Sequence, residues 1–304
     1  DLHDELQFGF LATGWLVPSL QSQSIARSAE QRERALAGPR TRGQRLLLAQ
    51  AAVHAAFDGE PSQEVAELAQ SAWEGGQLLE RESADGLGWN LVGTALCLAG
   101  ELERALEVVD AALADARERG SPLGFATGSF LRGIPLLWRG EVASAAADLE
   151  LARDARRFGW RRFARSAAAH YCLCQVELGD LERAESVLTE DIPLREPYDL
   201  EDAVRLYALA ELRLAQGRLD EAFALAGSAG GAAEATVRFL GFCPWRTCAA
   251  RAALGVGDRE RALELAREAW QRAQGTGVRH QRIRTEYVLG LCEGGEAGQA
   301  SRRG

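Results

Sequence analysis

The chain has 304 residues, 47% of them hydrophobic and 26% charged, a globular balance that excludes wholesale disorder. Its net charge of −9 opposes a direct grip on DNA or RNA, which needs a basic face. No apolar run approaches the ~18 residues of a membrane helix, and the start Asp1-Leu2-His3-Asp4-Glu5 is acidic where a secretory leader is basic, so a cytoplasmic protein off the membrane is expected.

In chain order, residues 1–38 read as the first helices, broken near Pro18 and Pro39. Helix pairs follow at 44–57/62–80, 86–99/102–119, 124–139/142–158, 162–178/181–190, 200–216/219–239 and 244–255/258–274. The stretch Asp191 to Asp199, with Pro193 and Pro197, is the longest irregular connection. A last helix spans 279–292, and residues 293–304 form a polar, Gly-rich tail expected to fray. Strand alternation is missing and β-branched residues are sparse.

One pattern joins the pairs: Gly, any residue, an apolar residue, two residues, Ala, three residues, an apolar residue. It reads Gly100-Leu102-Ala105-Val109, Gly140-Val142-Ala145-Leu149, Gly179-Leu181-Ala184-Leu188 and Gly217-Leu219-Ala222-Ala226. A fifth copy, Gly257-Arg259-Ala262-Ala266, carries Arg259 in the apolar slot, and Gly59-Pro61-Glu64-Leu68 is a degenerate early copy. Successive glycines stand 41, 40, 39, 38 and 40 residues apart. A glycine ends a first helix because it takes the left-handed conformation that side chains resist. Asp or Glu after it is placed to cap the second helix, and the alanine five residues on lets the two helices approach closely. Second helices are expected to stop at Gly120-Ser121-Pro122, Gly159 and Gly275. The chain therefore reads as all-α: one α-solenoid of stacked antiparallel hairpins over 1–292, with a period of about 40 residues.

Signatures of catalysis are missing. Cys97, Cys172, Cys174, Cys243, Cys248 and Cys292 include no C-x-x-C and read as small buried residues of a reducing compartment. His3, His54, His170 and His280 are scattered without metal-ligand spacing, and His170 reads as a structural histidine on an Ala-rich helix. All 35 basic residues are arginine, so a G-x-x-x-x-G-K-[ST] phosphate loop cannot exist in this sequence. No enzyme, metal or cofactor is expected. Methionine is absent even at position 1, so the chain is expected to be a piece of a longer protein. Arg153, Arg156, Arg157, Arg161, Arg162 and Arg165 surround Gly159-Trp160. They read as a solvated face paired with Asp148, Glu150 and Asp154, the alternative being an anion or partner contact with Trp160 stacked on a guanidinium.

The hairpin resembles the tetratricopeptide repeat. Its best copy is Trp89, Val92, Gly93, Leu96, Gly100, Leu102, Ala105, Val109 and Ala112. The period departs from that repeat's 34 residues, so the array is TPR-like with longer helices. A narrower resemblance lies in Arg45-Leu46-Leu47-Leu48-Ala49, in Gly59 to Ala66, in Ala111 to Pro122 and in Pro244-Trp245-Arg246. These segments look like the middle region of large ATP-binding LuxR-family transcriptional regulators from actinobacteria, relatives of the maltose regulator. The resemblance implies a region that senses a small-molecule inducer and self-associates, set between an ATPase module and a DNA-binding helix-turn-helix that this chain does not carry. The alternative is a generic TPR-like scaffold that binds a peptide or partner protein in its concave groove.

First helices line the inner wall of such a stack. Counting back from each glycine places Asn90, Thr94, Phe130, Tyr207, Glu211, Thr247 and Arg251 on that wall, with the small or apolar Ala169 and Leu173 between them. Tyr207 is expected to serve as an aromatic platform and Arg251 as an anion-binding fork.

Overall fold

In the computed structural model of the chain, residues 2–16, 24, 27, 30–33, 35, 36, 41–158, 161–189, 194, 198–235, 237, 238 and 241–294 are described. Every regular element among them is helical. They fall in two compact units, 1–164 and 165–304.

In the first unit α1 (Leu2–Leu16) packs on α2 (Arg42–Asp58), which pairs with α3 (Ser62–Trp73). A short α4 (Gln77–Glu82) leads into the hairpin of α5 (Gly88–Leu98) and α6 (Leu102–Arg119), followed by α7 (Pro122–Trp138) and α8 (Val142–Asp154). Consecutive helices of these hairpins lie against one another, and α5 also touches α2 behind it and α7 ahead of it. The second unit holds α9 (Arg161–Glu177) from Arg165 onward, α10 (Leu181–Thr189), α11 (Leu200–Ala215), α12 (Leu219–Glu234), α13 (Trp245–Gly255), α14 (Arg259–Thr276) and α15 (Arg279–Glu293). There α11 packs on α12 and α13, and α13 on α14 and α15. Contact with the next helix and the next but one is how a stack of hairpins buries a continuous core.

The repeated glycines do what the pattern requires. Gly100, Gly140, Gly179, Gly217 and Gly257 have φ of 80°, 85°, 79°, 74° and 90°. At each, the glycine N–H and the following N–H turn back onto the ending helix: Gly100 donates to the Cys97 carbonyl and Glu101 to that of Leu96, both at 3.0 Å. This paired closure satisfies carbonyls that a helix end otherwise leaves bare. Ala145, Ala184, Ala222 and Ala262 have no exposed surface and Ala105 has 1%. Only the aspartates cap as expected. Asp180 Oδ1 accepts from the Arg183 amide at 3.0 Å and Asp258 Oδ1 from the Arg261 amide at 3.1 Å. Glu101 and Glu141 make no such bond, since the extra methylene carries the carboxylate past the amide. They pair instead with Arg104 at 3.2 Å and Arg139 at 3.1 Å.

Close packing continues between hairpins. A Cβ on Gly128 would lie 2.6 Å from Leu113, so α7 can seat on α6 only without a side chain there. Trp89, Leu96, Leu113, Ile134 and Leu149 in the first unit, and Leu212 and Leu265 in the second, are fully buried, each contributing about 1.5–3 kcal/mol.

Three expectations are corrected. The helix expected over 62–80 breaks at Glu74, Gly75 and Gly76, with φ of 45°, 65° and 100°. Two adjacent glycines make helix continuation costly, and the break is tied down by Arg45, whose Nε donates to Glu74 at 2.7 Å and Nη2 to Gln77 at 3.0 Å. The stop expected at Gly275 falls instead at Gly277, which takes φ of 73° after α14. Asp148 does not join the arginine cluster; Arg132 on α7 holds it with two bonds of 2.6 and 2.7 Å. From that cluster Arg157 reaches Asp154 at 3.7 Å, and Arg165 binds Asp202 at 2.6 Å. The expected breaks at Pro18 and Pro39, the turn Gly159-Trp160, most of the connection from Asp191 and the tail from residue 295 lie outside the described residues, as do the side chains of Arg161 and Arg162.

Candidate functional site: an arginine-lined pocket in the second unit

The expected wall residues divide between the units. In the first, Asn90 and Phe130 are buried and Thr94 is half-buried. In the second, Arg251 Nη1 donates to Glu211 at 2.9 Å, joining α13 to α11. Thr247 is buried, its hydroxyl donating to the Pro244 carbonyl at 2.7 Å. Tyr207 is only 5% exposed and so packs inside rather than offering an open ring. Burial pushes its hydroxyl well above the usual tyrosine range, and nearby Glu211 adds to this. Ala169 is fully buried and Leu173 half-buried. His170 is buried as a structural residue: Nδ1 lies 2.8 Å from the Ser166 carbonyl and its ring meets Phe242 edge-on at 6.1 Å.

A pocket that the helix count did not reach opens beside Thr247. It takes in about 590 Å³ of space, open solvent at its mouth included. Its apolar side comes from Ala233 at the end of α12, Val237 just beyond that helix, and Ala269 and Ala273 of α14. Trp245, in the first turn of α13, supplies a flat wall. That indole sits against α12 because residue 230 is glycine; a Cβ there would lie 2.3 Å from it.

The polar lining is rich in donors. Arg238, Arg246, Arg272 and Arg284 all reach it, with Glu234 as the one lining carboxylate and Glu268 beside it. Arg246 is held: its guanidinium lies 4.2 Å from the Trp245 ring centroid, 2.6 Å from Glu234 and 2.8 Å from Glu268. That contact holds the Glu268 carboxyl below the usual carboxylate range, despite its partial burial. Arg272 stands 3.5 Å from Glu268 and donates to the Arg238 carbonyl at 3.2 Å. Among the described residues the guanidinium groups of Arg238 and Arg284 have no hydrogen-bond or ion-pair partner. Gln281, 7% exposed, is also part of the lining, and its buried Nε2 has no hydrogen-bond partner among the described residues. The helices α13 and α15 both begin without a side-chain cap, and in the first turn of α13 the Trp245 and Thr247 amides donate instead to the Cys243 and Pro244 carbonyls at 2.8 and 3.1 Å.

Chemically this lining can hold a ligand, and it offers little to transform one. Cys243, the one thiol of the lining, is pushed far above the ordinary thiol range by burial, so it is no nucleophile. Among the described residues no cluster of His, Cys, Asp and Glu could bind a metal. Sequence reasoning named Thr247 and the Pro244-Trp245-Arg246 segment but missed Arg238, Arg272, Gln281 and Arg284. The available signal was the small-residue face Gly230-Ala233-Val237, three and four residues apart before Trp245.

No family model and no curated protein matches the chain. Among solved structures, it is similar to a chain of the APC/C hetero-tetramer Cut9–Hcn1, with a TM-score of 0.58 and 12% identity over 89% of this chain and 46% of that one. It thus spans about half the length of that relative. A tetratricopeptide repeat protein from Parabacteroides merdae ATCC 43184 is also similar, with a TM-score of 0.44 and 15% identity over 81% of this chain and 93% of that one. The fold is all-α, a TPR-like solenoid of stacked helix hairpins.

Proposed function

We propose that this chain is the interaction and ligand-sensing repeat region of a LuxR-family ATP-binding transcriptional regulator, acting in the cytoplasm. In that role it binds a small-molecule inducer or a partner protein and transmits the event to an ATPase module and a helix-turn-helix elsewhere in the parent protein. It associates with itself and carries out no chemistry of its own. The observation that supports this reading is a stack of hairpins, five of them closed by the same Gly-turn and buried Ala, that presents a donor-rich pocket without a nucleophile. The LuxR context rests on the sequence segments quoted above, because fold alone does not fix function.

A second reading, a scaffold for a partner protein, draws support from the similar chain of known structure, which belongs to a hetero-tetramer. The coding sequence on either side of this chain separates the two. The regulator requires a G-x-x-x-x-G-K-[ST] loop upstream and a helix-turn-helix downstream; the lack of both would leave only the scaffold.

A further inference from the structure

We infer that the pocket between α12, α13, α14 and α15 is a binding site for a small organic acid: a carboxylate joined to an apolar ring or chain. The inference rests on the reading of this chain as a ligand-receiving region, and not on the regulator that would carry it.

Charge fixes one half of the ligand. Four guanidinium groups face two carboxylates, and both carboxylates are engaged by Arg246 and Arg272. Among the described residues, nothing answers the positive charge of Arg238 and Arg284 at the same opening. A neutral ligand would leave both guanidinium groups without a counter-charge; an anion supplies it, and a carboxylate matches the fork geometry of arginine. Gln281 adds an independent sign. Its buried amide donor has no partner among the described residues, and a carboxylate oxygen in the pocket would supply one.

The other half of the ligand follows from the apolar side. Ala233, Val237, Ala269 and Ala273 offer neither donor nor acceptor side chains, and the Trp245 indole gives a flat surface for a ring. Inorganic phosphate or a bare acetate would leave that side unfilled. A polyanion would meet Glu234 and Glu268. One negative charge joined to a flat apolar body answers both sides.

The test is calorimetric titration of the whole chain with 1-naphthylacetate and with its neutral isostere 1-naphthylacetamide. We expect one-to-one binding of the acid and at least tenfold weaker binding of the amide. R284A should weaken the acid at least tenfold, and Gln281→Glu, which keeps the shape but replaces a donor by a carboxylate, should do the same. Arg104→Ala, in the first unit, removes one positive charge far from the lining in sequence and should leave affinity unchanged. Far-ultraviolet circular dichroism checks that each variant folds; should R284A unfold, R238A takes its place. Equal affinity for acid and amide, no binding of either, or an acid affinity untouched by Gln281→Glu in a folded protein would overturn the inference. Tighter binding of N-acetylphenylalanine than of 1-naphthylacetate would overturn the assignment to a free acid in favour of a peptide terminus. Acid binding without the flanking modules would refute the regulator and keep the pocket; flanking modules without acid binding would do the reverse.

Discussion

Arg251 and Glu211 stand one repeat apart in sequence and 2.9 Å apart in space, tying α13 back to α11. Forty residues separate them, close to the repeat period, so the ion pair links like positions of successive first helices. Glu211 is 12% exposed while Arg251 is 43% exposed, which leaves the carboxylate as the more vulnerable partner. R251A should therefore cost about 1 kcal/mol, between the worth of a surface pair and that of an orphaned buried group. Urea unfolding checks this. The double variant with Glu211→Ala should lose less than the two single losses combined.

Ala184 sits fully buried on α10, five residues after Gly179 with φ of 79°. Ala184→Leu should overpack the hairpin and destabilise the chain by about 1–3 kcal/mol. Gly179→Ala should cost about 1–2 kcal/mol, through left-handed backbone strain alone. Thermal melts of the two variants measure both effects, and a stable Ala184→Leu would mean that this face is open to solvent.

These positions were legible in the sequence because each depends on a few local residues. A glycine at φ near 80° and an alanine one and a half turns later are fixed by the geometry of a single hairpin. The break at Glu74 was not legible, since Gly75-Gly76 permits a kink without requiring one and Arg45, which holds it, lies 29 residues upstream of Glu74. The expected wall residues all lie on first helices of hairpins, yet counting along one helix cannot tell an open wall from a seam between two. Tyr207 shows the difference: at 5% exposed it is packed inside, where an open wall would leave its ring free. The pocket was harder still, because its polar groups come from four separate segments, around 238, 246, 272 and 281–284, and no single period joins them.

His170 supplies a pH prediction. Burial lowers its pKa from 6.5 to about 4, although the Ser166 carbonyl opposes this slightly. The unfolded histidine takes up a proton near 6.5 and the folded one does not until about 4, so stability falls as pH drops through that window. The slope is about 1.4 kcal/mol per pH unit for one such group. His170→Asn should flatten the dependence of the urea midpoint between pH 7 and pH 5 relative to the parent. An unchanged slope would mean that His170 already carries its proton in the native state.

Gly230 and Gly231 are neighbours on α12 with opposite expected responses to the same substitution. A Cβ on Gly230 would lie 2.3 to 2.7 Å from three ring carbons of Trp245, whereas one on Gly231 meets nothing within 4 Å. Gly231 is exposed, so Gly231→Ala changes mainly the backbone entropy of the unfolded chain and should stabilise by about 0.4–1 kcal/mol. Gly230→Ala carries the same entropic gain but must push the indole off α12, and a rigid ring backed by Arg246 at 4.2 Å cannot shift without disturbing the Glu234 and Glu268 contacts. It should destabilise by about 1–3 kcal/mol. It should also weaken 1-naphthylacetate, because Trp245 is the flat wall of the pocket, while Gly231→Ala leaves that affinity unchanged. Urea midpoints of the two variants, compared in one buffer, read the first pair of effects and calorimetry reads the second. If Gly230→Ala proves as stable as Gly231→Ala, Trp245 does not rest on α12 and the pocket loses that wall.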